Sequence, residues 1–220
     1  MSPTSPPSSQ SWFSARSLRL ARGPVLLIDD LGFSLNRGEA LLLRGANGSG
    51  KSTLLRALLG LTPVQNGEIT LDGETFAPGS GRLRPHALWL GHAHGMKAEL
   101  TAIENLGLTA GLDGTAPTRA ALRTALGRVG LGQKLNVETR RLSQGQRQRL
   151  ALARLLLAPH RPLWLLDEPS AALDAEGSGL LDELLGEHLT AGGCALIATH
   201  LPVLQARAPA VLTLNGGQTA

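Results

Sequence analysis

Gly45-Ala46-Asn47-Gly48-Ser49-Gly50-Lys51-Ser52, with Thr53 behind it, is the stretch that decides how this chain folds. It fits the pattern G-x-x-x-x-G-K-[ST], and its flanks agree with that pattern. The apolar run Ala40–Arg44 before it has strand length. Lys51–Leu59 after it sets Leu54, Leu55, Leu58 and Leu59 on one helical face, with Gly60 as the stop. Glycines at 45, 48 and 50 let successive backbone N–H groups turn inward as a nest for an anion, and the helix dipole points at the same place. Lys51 adds a flexible positive charge for the β- and γ-phosphates, and Ser52 a hydroxyl suited to Mg²⁺. This strand–loop–helix unit predicts a phosphate-binding loop.

Two further stretches carry chemistry. Leu163-Trp164-Leu165-Leu166-Asp167-Glu168 reads as a buried strand that delivers two carboxylates at its C-terminal end, where open α/β sheets bind ligands. There Asp167 is placed to hold Mg²⁺, directly or through water, and Glu168 to polarise an attacking water as general base. Leu142-Ser143-Gln144-Gly145-Gln146 lies upstream, where Ser143 opens a helix of Arg, Ala and Leu running through Leu157. Its N-terminus makes a second anion site, with Ser143, Gly145 and Gln146 at its mouth. Two such helix starts in one chain suggest that one of them serves a neighbouring chain.

Around these stretches the pattern alternates. Val25–Ile28, Phe33–Leu35, Ala40–Arg44, Glu68–Leu71, residues 87–91, Leu163–Leu166 and Ala195–Thr199 read as strands; Thr101–Leu108, Thr118–Val129, Gln144–Leu157 and Asp174–Leu189 read as helices. The alternation predicts an α/β fold with a mostly parallel core sheet and a helical insert at about 94–160. Residues 1–17 are rich in Ser and Pro and are expected to be a disordered extension, with the folded domain spanning 18–216. No apolar core of a secretory signal follows them.

The loop at 45–52, Leu142–Gln146, Leu163–Glu168, Ser170-Ala171-Ala172-Leu173-Asp174 and Thr199-His200, in this order, resemble an ATP-binding-cassette nucleotide-binding domain over about residues 18–214. The resemblance implies a P-loop NTPase fold with an antiparallel β subdomain and a helical subdomain beside the core sheet. It implies ATP and Mg²⁺ as ligands and ATP hydrolysis as the activity. It places residues 45–53 on the phosphates, with Lys51, Glu168 and His200 as the catalytic set and Ser52 and Asp167 on the metal. His200 matches the family's switch histidine, which contacts the γ-phosphate, and Ala171–Asp174 its D-loop. Ser143, Gly145 and Gln146 match the signature that closes on ATP held by the other copy of a homodimer.

A narrower likeness lies in Gly91-His92-Ala93-His94-Gly95-Met96-Lys97, followed by Leu100-Thr101-Ala102-Ile103-Glu104-Asn105-Leu106. This run is similar to the ATP-binding subunits of haem exporters in cytochrome c maturation. That likeness implies multi-span membrane permease partners and peripheral attachment at the cytoplasmic face of the cell membrane. An ATPase for a drug, lipid or peptide exporter, or a soluble cassette ATPase, shares the same ATP residues. Two positions depart from the family pattern. Ala93 stands where members carry a glutamine that links the metal and water to the membrane partner, with His92 and His94 beside it. No aromatic precedes the phosphate loop to stack on adenine, and Arg22 offers only a guanidinium plane.

Composition narrows the rest. The 220 residues are 42% hydrophobic and 17% charged, with a net charge of +4. Its basic residues are scattered rather than gathered into a patch, so nucleic acid is not expected as a partner. A single cysteine, Cys194, excludes an intramolecular disulfide framework. No apolar run reaches the length of a membrane span, so a role at a membrane requires another chain to cross it.

Overall fold

The computed structural model describes residues 11–91 and 95–216. Five strands form the central sheet: β3 (Ala40–Arg44), β6 (Ala87–Leu90), β7 (Leu163–Asp167), β8 (Cys194–Ala198) and β9 (Ala210–Thr213). Their order is β6-β7-β8-β3-β9, and every neighbouring pair is parallel. Strands buried on both faces read as continuous apolar runs, which is why Leu163–Leu166 and Cys194–Ala198 carry no polar alternation. Successive residues still divide between two cores. Leu41, Leu43, Leu163, Leu165 and Leu196 face one, while Leu42, Trp164, Leu166, Ala195 and Ile197 face the other.

The first core lies between this sheet, helix α1 (Lys51–Leu58) and a four-stranded antiparallel sheet. That second sheet has the order β2-β1-β4-β5, from β1 (Phe13–Arg22), β2 (Val25–Leu35), β4 (Asn66–Leu71) and β5 (Glu74–Phe76). The other core is built by α2 (Ala102–Leu112), α3 (Arg119–Arg128), α4 (Gln144–Leu157) and α5 (Ala175–Thr190). Each of α2 to α5 begins on a Thr, Ser or Asp whose side chain accepts from the first turn: Thr101, Thr118, Ser143 and Asp174. The architecture is the expected one: a mostly parallel core sheet, an antiparallel β layer and a group of helices.

The folded part starts earlier than position 18. Phe13 and Ala15 are fully buried in β1, and Trp12 sits beneath the Arg37 guanidinium, 4.7 Å from the ring centroid. Residues 1–10 lie outside the described residues. The strand was hidden because its alternation breaks: Ser17 takes a left-handed φ of 47°, and the register slips between Ala15 and Leu18. The runs Val25–Ile28 and Phe33–Leu35 are one strand, bent at Asp30 (φ 50°). Among the described residues no helix is long and apolar enough to cross a membrane.

Cys194 is buried at the start of β8, its Sγ 3.1 Å from the Asn36 carbonyl, and burial pushes its thiol up to about 11. At the end of α5, His188 stacks on Trp164 with ring centroids 3.8 Å apart, and burial lowers its pKa. Arg161 donates to the carbonyls of Arg84 and Asp113, bracketing the approach to β6 against the end of α2.

Candidate active site

The sheet order itself gathers the site. β7, β8 and β3 are consecutive neighbours and run the same way. Their C-terminal ends therefore present Asp167-Glu168, Thr199-His200 and the loop from Gly45 side by side.

The loop is shaped by its glycines. Gly45, Gly48 and Gly50 all take positive φ, and Gly50 at 100° starts α1 in a left-handed conformation. A Cβ on Gly45 would run into the Leu214 carbonyl and stand 2.6 Å from Ser49 Oγ, so no larger residue fits there. Ser49 Oγ is buried beneath the loop without a hydrogen-bond partner among the described residues. Ala46, Asn47 and Gly48 are exposed at the loop's crown. Lys51 is buried, and its Nζ donates to the carbonyls of Gly45 (2.7 Å) and Ala46 (3.0 Å). The ammonium thus sits inside the loop that its own helix closes.

Ser52 Oγ donates to Asp167 Oδ1 at 2.9 Å, and Asp167 is buried. A desolvated carboxylate beside a hydroxyl is a pair of hard oxygens, the donor set that suits Mg²⁺. Thr53 follows in the first turn of α1, half-buried. Directly after Asp167, Glu168 has a left-handed φ of 52°, a conformation costly for a residue with a Cβ and concentrated at functional sites. Its N–H donates to the Ala198 carbonyl at 2.8 Å. The turn aims the carboxylate at His200, whose Nε2 lies 3.6 Å from Glu168 Oε1. Glu168 keeps modest exposure and His200 is open to solvent, as groups that meet a ligand must be.

Ser143, Gly145 and Gln146 gather elsewhere. Ser143 and Gln146 form a reciprocal cap: Ser143 Oγ accepts from the Gln146 N–H (3.2 Å), and Gln146 Oε1 accepts from the Ser143 N–H (3.0 Å). Beside them opens a cleft of about 370 Å³, lined also by Gly130, Arg149, Ala172, Asp174 and Glu176. None of residues 45–53, Asp167, Glu168 or His200 lines it. Arg149 is almost covered and bridges Asp174 (2.7 Å) and Glu176 (3.1 Å). The Gly177 N–H, and then Arg149, hold the Asp174 carboxyl below its usual range. Ala172, at φ 61°, turns its carbonyl toward Gly145, where an added Cβ would stand 3.0 Å away.

Residues 28–171 match the family model described as ABC transporter. The chain belongs to the ABC transporter family. This ABC ATPase binds and hydrolyses ATP. It is 48% identical over 186 residues to the cytochrome c biogenesis ATP-binding export protein CcmA of Xanthomonas campestris pv. campestris (strain 8004), covering 84% of this chain and 85% of that protein. The protein of the same name from Methylococcus capsulatus (strain ATCC 33009 / NCIMB 11132 / Bath) is 44% identical over 186 residues, covering 84% of this chain and 89% of its own. Among solved structures, an ATP-binding cassette in a dimeric post-hydrolysis state bound to ADP and Pi superposes with a TM-score of 0.74 at 25% identity, over 92% of this chain and 94% of that one.

Three residues that shape this ABC ATPase's site went unnoticed in the sequence. Gln148, buried on α4, donates to the Pro169 carbonyl at 2.6 Å, next to Glu168. Arg149 ties the cleft to residues 174–176, and Arg44 grips the residues flanking His200. All three lie next to a motif, but their partners are set by the fold. His92, Ala93 and His94 lie outside the described residues. Arg22 is exposed at the β1–β2 turn.

Proposed function

We propose that this ATPase powers haem export for c-type cytochrome biogenesis as a homodimer joined to multi-span membrane subunits at the cytoplasmic face of the cell membrane. In this reading two ATP molecules lie between the copies, each held by residues 45–53 of one chain and covered by Ser143, Gly145 and Gln146 of the other. The supporting observation is a separation in space: the signature cleft is open and is built without any residue of the phosphate loop.

Lys51 and the loop N–H groups hold the β- and γ-phosphates, and binding moves Nζ from the Gly45 and Ala46 carbonyls onto phosphate oxygen. Ser52 and Asp167 would hold Mg²⁺, which when bound would neutralise charge that builds on the phosphate oxygens. Glu168 Oε1 accepts the proton of the attacking water, and His200, 3.6 Å away, keeps that water in line with the γ-phosphate. Preorganised charge supplies most of the rate enhancement. The haem cargo rests on the relatives named CcmA and on residues 91–106.

Two measurements test the reading. Deleting the gene should abolish assembly of c-type cytochromes, and a tagged chain should bring down membrane subunits. Normal cytochromes c in the deletion strain would remove the haem assignment and leave the ATPase intact. Mixing a Lys51→Ala copy with a Ser143→Arg copy should restore one active composite site, and turnover no higher than that of either copy alone would exclude the shared arrangement.

A further inference from the structure

Arg44 is the last residue of β3 and directly precedes Gly45, yet its side chain leaves the phosphate loop and crosses to the neighbouring strand end. Its Nη1 donates to the Thr199 carbonyl at 2.7 Å and its Nη2 to the Leu201 carbonyl at 3.0 Å. These two carbonyls flank His200. The segment is fixed at two further points. Thr199 Oγ1 accepts from the Leu201 N–H at 3.1 Å, and it shares a hydrogen bond of 3.1 Å with Ser170 Oγ, two residues beyond Glu168. The backbone of Arg44 is itself pinned, because its carbonyl accepts from the Leu214 N–H at 2.8 Å.

A guanidinium is a rigid planar fork, so two carbonyls bound to its two ends are held at a set separation. Here the fork spans the residue whose side chain faces Glu168. We propose that Arg44 is a positioning residue for His200: it bridges the carbonyls on either side of the histidine and so fixes its place relative to the phosphate loop that Arg44 begins. Loop and histidine then move as one body when nucleotide seats. The inference rests on the role assigned to His200 above.

The experiment uses the full chain and steady-state ATPase kinetics, with nucleotide affinity measured separately. Arg44→Met keeps the length of the stem and removes the fork. It should lower kcat by about ten- to a hundredfold, the scale of a small misplacement of a reacting group, while KM and nucleotide affinity stay near the parent values. Arg44→Lys, which keeps charge and stem, should fall between the two, and it carries the test should the methionine variant not fold. Arg44→Met combined with His200→Ala should be no slower than His200→Ala alone, since residues acting as a unit are non-additive. Penalties that multiply in the double variant, or a loss confined to nucleotide affinity, would overturn the inference while leaving the histidine's role in place. Undiminished turnover in His200→Ala would instead remove that role, and the inference with it.

Discussion

The phosphate loop and the helix start at Leu142–Gln146 differ in how much of their chemistry is already satisfied. Around the loop at 45–52, charges and donors are turned onto the chain itself: Lys51 onto the Gly45 and Ala46 carbonyls, Ser52 onto Asp167, His200 toward Glu168. At Leu142–Gln146 the cap is closed and Arg149 pairs with the highly exposed acids Asp174 and Glu176, yet the cleft that they rim stays open. A region that completes itself within one chain can bind its ligand alone. One that stops at an open cleft needs something brought to it. The contrast frames the proposal above: in that reading binding belongs to a single copy and hydrolysis to two.

Substitutions can break the comparison on either side. Glu168→Gln should give the largest effect. It keeps the shape of the side chain and removes the proton acceptor, so turnover should fall by roughly 10²–10⁴ while ATP binding persists, and turnover near the parent rate in a phosphate-release assay would contradict the assignment. Lys51→Ala acts earlier, on binding. Losing charge-assisted hydrogen bonds worth about 1.5–3 kcal/mol should weaken nucleotide affinity by roughly ten- to a hundredfold in calorimetry.

Gly145→Val strikes the other region. Its side chain meets the Ala172 carbonyl and intrudes on the cleft. One copy should still bind ATP, yet ATP should no longer bring copies together, which light scattering will register; ATP-driven pairing of this variant would deny the cleft its role. Ser143→Ala should have the smallest effect on stability. Removing a helix cap costs ~1 kcal/mol, which is a drop of a few degrees in Tm. An unchanged Tm would mean that water replaces Ser143 Oγ as the acceptor for the Gln146 N–H.

Much of this was legible because motif chemistry and sheet order point to the same place. Gly45–Ser52 sits between an apolar run and a helical one, and the acids follow a buried strand, so residue types alone located the loop, Asp167 and Glu168. What escaped depended on backbone partners. Arg44, Gln148 and Arg149 look like ordinary polar residues, and their bonds go to carbonyls or acids that only the folded topology brings near. β1 escaped for a local reason, since the bulge at Ser17 shifts Leu18 and Leu20 out of phase with Phe13 and Ala15. The edge strand β9 was unreadable because Ala210 and Val211 stay exposed, leaving too little apolar pattern.

The buried sulfur at the head of β8 has a practical consequence. Cys194 is the chain's single thiol, and at neutral pH it stays protonated and shielded. Maleimide dyes and spin labels will pass it by, so the wild-type protein is a silent background for site-directed tagging. A lone replacement such as Leu112→Cys, on the solvent side of α2, becomes the sole attachment point. Label-to-label distances between copies can then be recorded without first engineering the native cysteine away.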